Sequence, residues 1–241
     1  MSGQKFSDYL LEKYAEDFEV ATNHPFLQQA GEGTIDAQPL REWLKQDYLY
    51  AFVGYIKFAS SLLSKLPLAS APEQPNIARA VEVLTFSLSN VKRETDFFLS
   101  TAAEHGLAVF DSKFQSHAAS GLLGEYKEVT RGYVDFLHAI GGLGSIEEGF
   151  TLLWAMEKAY FTAWSNAKTH LRPIENPTKT QKALAKFIDN WTNEEFKEFV
   201  DGCEEIMDAA EIEVGSQTGK ACEEVFKRTL WLEQRFWPEV N

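Results

Sequence analysis

The sequence predicts an all-α protein, a single-domain helical bundle, on three observations. Apolar residues recur every three or four positions along nearly the whole chain, strand-like alternation is scarce, and Gly and Pro collect at a few short connections. The 241 residues are enough to bury a substantial core and contain no internal repeat, so one domain over 1–241 is expected.

Taken in order, the helical pattern runs through 5–22, 37–65, 77–105, 122–139, 146–169, 180–190, 193–213 and 220–237. The stretches PLASAPEQPN (67–76), GGLGS (141–145) and RPIENPTKT (172–180) punctuate it. Two helix starts carry a hydroxyl residue followed three positions later by a glutamate, Ser145 with Glu148 and Thr192 with Glu195. This is the pattern of a capping box, which satisfies amide donors that the first helical turn leaves free. GSQTGKA (215–221) resembles a phosphate loop, but it has one residue too few between its glycines and Ala221 where a magnesium-binding hydroxyl belongs. It reads as a turn before the last helix.

Composition limits the partners. A formal net charge of -13 repels phosphate backbones and anionic lipid, and Lys and Arg are not gathered into a patch, so neither nucleic acid nor a membrane is an expected partner. No apolar run reaches membrane-spanning length, and the first twenty residues mix charges among their apolar ones, unlike a signal peptide, so a soluble, cytoplasmic protein is expected. Cys203 and Cys222 are too few for a disulfide framework and lack ligand spacing, which predicts reduced thiols and no metal site. Aromatic residues make up 13% of the chain, a stock of flat side chains that fill a core or sandwich a planar ligand.

Three carboxylates interrupt apolar rows. Leu40, Trp43, Asp47, Tyr50 and Gly54 share one helical face, as do Phe150, Trp154, Glu157, Phe161 and Trp164, and again Phe226, Leu230, Glu233 and Trp237. Taking a carboxylate out of water costs several kcal/mol unless partners compensate. Singly, each acid reads as the edge of its row, reaching solvent or a salt bridge. Together they point to one cavity, where Tyr48, Tyr50, Tyr133 and Tyr160 complete a polar pocket walled by rings. Such a pocket suits a flat nitrogenous ligand that presents an amidine-like edge to the acids. Glu94, in VKRETDFF, reads as readily as a solvated face and stays outside the expected chemistry. His24, before Pro25, reads as a hydrogen-bonded structural histidine, and the single pair Asp135 and His138 makes no di-iron signature.

The stretches HPFLQQAGEGTIDAQPLREWLKQDYLYAF (24–52), LLWAMEKAYFTAW (152–164) and LEQRFW (232–237) resemble the TenA/thiaminase II family, a likeness running from His24 to Trp237. The resemblance implies a haem-oxygenase-like helical fold and hydrolysis of thiamin-derived aminopyrimidines in vitamin salvage, without a cofactor, by a homodimer or higher homo-oligomer. It assigns Asp47 and Tyr50 to the pyrimidine, matches Glu233 to the glutamate of a C-terminal E-x-x-F-W motif, and makes Tyr133 and Tyr160 further pocket tyrosines. Trp191 stands where many members have another tyrosine, keeping a ring and losing a hydroxyl. Met156 stands where many carry a nucleophilic cysteine, and a thioether forms no thiolate.

The pattern looks like the branch that lacks this cysteine and uses a pocket glutamate, for which WAMEKAY offers Glu157. In plants that branch is associated with removing first a formyl and then an amino group from the pyrimidine. The mechanism this implies has Asp47 holding the amino-nitrogen edge and Glu233 bonding to or protonating a ring nitrogen, while Glu157 activates water or protonates the leaving amine. Two other readings remain open: a haem-linked or cofactor-free oxidase like the haem-oxygenase relatives, and a pyrimidine-binding regulatory module without catalysis.

Overall fold

The computed structural model describes residues 4–70, 73–107 and 126–240, and among them there is no strand. In place of one helix over 5–22 there are two, α1 (Phe6–Lys13) and α2 (Ala15–Thr22), parted at Tyr14 (φ -113°, ψ 29°). The break turns the Tyr14 hydroxyl onto Glu223, while Ser7 ties α1 to Asp208 through its amide (3.1 Å) and its Oγ (2.9 Å).

Helix α3 (Pro25–Glu32) was missing from the periodicity reading because only eight residues carry it. Its ends are well specified. His24 Nδ1 accepts from the Phe26 amide at 3.2 Å, Pro25 opens the first turn, and Gly33 closes the helix in the left-handed region (φ 70°). His24 is therefore the structural histidine expected of it.

The helix expected over 37–65 is one rod with a defect: α4 (Ala37–Leu49), a π segment (Tyr50–Tyr55) and α5 (Ile56–Lys65). A 3₁₀ turn at Leu68–Ser70 leads to α6 (Pro75–Glu104), which begins on a proline. The pattern at 122–139 corresponds to α7 (Glu128–Leu143), which continues through two of the glycines taken for a connection; positions 122–125 lie outside the described residues.

Helix α8 (Ile146–Thr169) begins with the expected capping box, with Ser145 Oγ accepting from the Glu148 amide (3.2 Å) and Glu148 Oε2 from the Ser145 amide (2.7 Å). The second expected box is absent. Asn193 caps α10 (Glu194–Asp208) by accepting from the Phe196 amide at 2.8 Å, while Thr192 donates to the Ile188 carbonyl and Glu195 pairs with Arg93. Asn at this position is as good an acceptor as Thr, and it sits one residue nearer the helix. The other capping box belongs to α9 (Lys179–Asn190), built by Thr178 and Gln181. GSQTGKA is more than a turn: Gly215 (φ 83°) makes the bend, and Ser216 Oγ accepts the Gly219 amide at 2.9 Å to start α11 (Gln217–Phe236).

Helix α8 is the axis of the molecule. Residues 149–156 are all buried, the mark of a helix enclosed on every side, and it packs on α11, α10, α3 and α2. Its approach to α3 is so close that a Cβ on Gly31 would sit 2.0 Å from the Ala167 carbonyl oxygen. Gly31→Ala is expected to destabilise the fold by about 1–3 kcal/mol or more, read as a lowered urea midpoint. Gly132→Ala, in α7 where nothing lies within 4 Å, is expected to raise it through better helix propensity. Equal midpoints for the two variants would refute the close approach.

Two core clusters form around α8. One gathers Phe58, Leu62, Trp154 and Phe226, the other Trp43, Trp164, Phe187 and Trp237, and Tyr160 and Phe236 touch both. Where they meet, the packing opens into a cavity. Among the described residues no helix is long and apolar enough to cross a membrane.

Candidate active site: an acidic cavity walled by rings

The cavity measures about 90 Å³. A single water needs roughly 10–15 Å³ of such space, so there is room for a molecule of several heavy atoms, on the scale of one substituted ring. Its walls come from six of the long helices and their ends. The rod of α4 and the π segment supplies Asp47, Tyr50, Ala51 and Tyr55, and α6 supplies Ser87, Asn90, Val91, Glu94 and Phe98. Tyr133 comes from α7, and Met156, Glu157 and Tyr160 from α8. Trp191 follows α9, Phe196 and Phe199 belong to α10, and Glu233 and Phe236 to α11.

Of the residues expected in the pocket, Asp47, Tyr50, Tyr133, Glu157, Tyr160, Trp191 and Glu233 line one cavity. Tyr48 is not there. It stacks on Phe52 (centroids 5.3 Å apart) and lies edge-on to Phe98, because the residue after Asp47 turns about 100° away from the pocket face.

The π segment explains one partner that periodicity could not supply. Five α-helical residues advance about 140° beyond a full turn, which would send Tyr50 and Tyr55 to different neighbours. In a π turn the hydrogen bond spans five residues and returns them to nearly the same face. Tyr55 is thereby brought to Glu157, donating to Oε1 at 2.5 Å while it accepts from Ser87 Oγ at 2.9 Å. A second phenol, Tyr133, donates to Glu233 Oε1 at 2.6 Å. Tyr50 donates to the Met156 sulfur at 2.9 Å and packs 4.7 Å from the Tyr133 ring.

Sequence reasoning also passed over Glu94. The row Ser87, Asn90, Glu94, Phe98, at spacings of three, four and four, was the available signal. Arg93 and Asp96 beside it suggested a solvated face, yet Arg93 turns outward to Glu195 (2.7 Å) while Glu94 lines the cavity.

The electrostatics follow from four carboxyl groups, Asp47, Glu94, Glu157 and Glu233, in a lining that among the described residues contains no Lys, Arg or His. Burial disfavours their charged forms and outweighs the phenol bonds that favour them. Burial pushes Glu157 up to about 7, with the Tyr55 bond opposing and the charge of Glu233 assisting. Burial likewise raises Glu233 to about 7 against the Tyr133 bond. Asp47 is held well above the usual carboxylate range by burial and then by Glu233, Glu94 and Glu157, with only the Tyr160 hydroxyl acting the other way.

Asp47 and Glu233 are 7% and 5% exposed. Glu94, Glu157 and Tyr160 keep more open surface, but they too line the cavity, so that area faces enclosed space and desolvation still governs them. Among the described residues no group of three or more His, Cys, Asp or Glu is placed to hold a metal ion. Nor does a nearby thiol replace the missing cysteine. Burial, and then the charge of Glu157, push Cys203 well above its ordinary range, which keeps it a thiol.

A bundle of helices closed around an acid-rich, ring-walled cavity is of the haem-oxygenase-like, all-α class. The chain belongs to the TENA/THI-4/PQQC family, whose model matches residues 11–240. It is 24% identical, over 98% of its length, to a Fusarium pseudograminearum protein described as a "Probable transcription factor", and spans about half (52%) of that relative. It is 23% identical to a "Probable bifunctional TENA-E protein" of Glycine max, covering 94% of this chain and 89% of that one. It is 22% identical to an "Aminopyrimidine aminohydrolase" of Halalkalibacterium halodurans, covering 96% and 93%. Among solved structures, a TenA homologue from Pyrococcus furiosus superposes with a TM-score of 0.69 at 26% identity, covering 96% of this chain and 98% of its own. A Pyrococcus horikoshii homologue reaches 0.74 at 21% identity, with 97% of each chain covered.

Proposed function

We propose that the chain hydrolyses C–N bonds in thiamin-derived aminopyrimidines, in the manner of the family branch that lacks the active-site cysteine. The observation that carries this reading is the set of four carboxyls, with no cation beside them among the described residues, in an aromatic cavity of single-ring size. An aminopyrimidine offers such a set what it lacks: ring nitrogens and amino groups that donate hydrogen bonds, or accept a proton from an acid titrating near neutrality. The Halalkalibacterium halodurans relative supports the same class of substrate by its description as an aminopyrimidine aminohydrolase. Haem suits the lining poorly, since its described residues offer no imidazole to ligate iron and no cation to meet propionates.

In this mechanism the ring stacks among Tyr50, Tyr133 and Tyr160, with Trp191 completing the wall. Asp47 bonds the ring amino group, and Glu233 donates its proton to a ring nitrogen. Glu157, ionised, takes a proton from water. For the formylated substrate, the water oxygen bonds to the formyl carbon, the C–N bond breaks, and the nitrogen leaves with a proton, giving amine and formate. For the amine, water oxygen replaces nitrogen on the exocyclic carbon, giving the hydroxymethyl compound and ammonia. Incubation with the formylated pyrimidine, its amine and thiamin, with products separated by chromatography, tests the reading. Two hydrolytic steps are expected. Thermal stabilisation by these compounds without any product would select a binding module instead.

An acid and a base that both titrate near 7 predict a bell-shaped pH–rate profile centred near neutrality. Its alkaline limb marks the loss of the Glu233 proton. Tyr133→Phe removes the bond that favours the charged form of Glu233, so the limb is expected to move to higher pH. An unmoved limb would detach Glu233 from the acid role.

A further inference from the structure

The proposed chemistry leaves one carboxyl of the cavity without a task. Glu94 is fixed from behind: Asn190 Nδ2 donates to its Oε2 at 2.6 Å and Trp191 Nε1 donates to the same oxygen at 3.1 Å. These donors are consecutive residues at the end of α9. The indole is itself immobilised, stacked on Phe187 at 5.1 Å and packed 4.7 Å from Trp164. Both bonds reach Oε2, and among the described residues no hydrogen bond or ion pair reaches Oε1, although Glu94 lines the cavity. The adjacent cation, Arg93, is committed to Glu195 and Asn90. The result is a rigid acceptor with one oxygen left for a ligand and, among the described residues, no cation to occupy it.

We propose that Glu94 is a specificity-determining substrate residue, whose free oxygen receives the positively charged exocyclic aminomethyl arm, with Trp191 and Asn190 as its positioning residues. This rests on the aminopyrimidine reading and adds a preference to it. An ammonium gains a charge-assisted bond from Glu94, whereas the neutral formylamino arm gains only an ordinary one. The cavity therefore favours the deformylated amine. Trp191 acquires a role unrelated to a lost tyrosine hydroxyl: its indole N–H orients the acid.

The test is steady-state kinetics of Glu94→Gln on the amine and on the formylated compound, with calorimetry of the hydroxymethyl product. Losing a charge-assisted bond is expected to lower kcat/KM for the amine by about 10- to 100-fold. The loss is expected mainly in KM, with formylated turnover and product affinity changing less than about threefold. Trp191→Phe keeps a ring and removes the donor, and is expected to shift the same ratio in the same direction by less. It also serves if Glu94→Gln fails to fold. Equal losses on both substrates, or none, in a variant descended from an active wild type would overturn the Glu94 assignment and leave the function standing. A wild type that neither binds nor converts any of the three compounds would overturn both.

Discussion

Glu157→Gln is expected to lower turnover by about 10²- to 10⁴-fold, the range a positioned acid or base supplies, while the pyrimidine still binds. The amide keeps the size of the carboxyl and can still accept from the Tyr55 hydroxyl, which donates to Glu157 Oε1 at 2.5 Å. It cannot take a proton from water. Loss in kcat with KM nearly unchanged would mark an interaction that matters only in the transition state. The geometry makes this a demanding test, because Tyr55 of the helix rod holds the acid and is itself held by Ser87 of α6. Full activity in a purified, folded Glu157→Gln would remove the residue from the chemistry. Met156 does not offer a fallback, since its sulfur carries no proton to lose and is already the acceptor for Tyr50.

Without ligand, the protein is expected to lose stability as pH rises from mildly acidic to neutral. Glu157 and Glu233 each move from the ordinary value of 4.5 to about 7 on folding, so the folded chain binds their protons more tightly than the unfolded one. Stability then falls as pH rises from about 4.5 to 7 and levels off beyond it. At 1.36 kcal/mol per pKa unit, the cost is on the order of 3 kcal/mol for each group. Asp47 adds to it in the same direction. His24, whose burial depresses its pKa, opposes it with a single half-buried group. On the acid side, Glu223 is held below its usual range by Lys13, and the stability it contributes disappears as pH falls through that lowered value.

Thermal melting should therefore peak on the mildly acidic side of neutrality and decline towards pH 8. The double variant Glu157→Gln, Glu233→Gln should flatten the decline. Parallel profiles for the two proteins would mean that these carboxyls ionise freely in the fold. A cationic ligand should also flatten it, because it supplies the positive charge that the lining lacks.

The helical class was legible because a period of three to four needs only local sequence, and the acids in apolar rows were legible for the same reason. Asp47, Glu157 and Glu233 interrupt faces that otherwise carry Trp, Phe and Leu, and burying such faces buries the interruption with them. The capping box at Ser145 and Glu148 is likewise a matter of a few adjacent residues.

Tertiary structure decided which faces meet. Periodicity assigns a residue to a side of its own helix and says nothing of the helix opposite, so the sequence left Glu94 beside charged neighbours and put Tyr48 in the pocket. Packing turned Glu94 onto Asn190 and Trp191, whereas Tyr48 lies against Phe52 on its own rod because it sits one residue past the pocket face. The π segment belongs to the same category. One helical pattern spans 37–65, and only the packed molecule shows the displaced turn that brings Tyr55 to Glu157. Spacing along a chain specifies direction about one axis, whereas a site of groups from six helices is specified by how those axes pack.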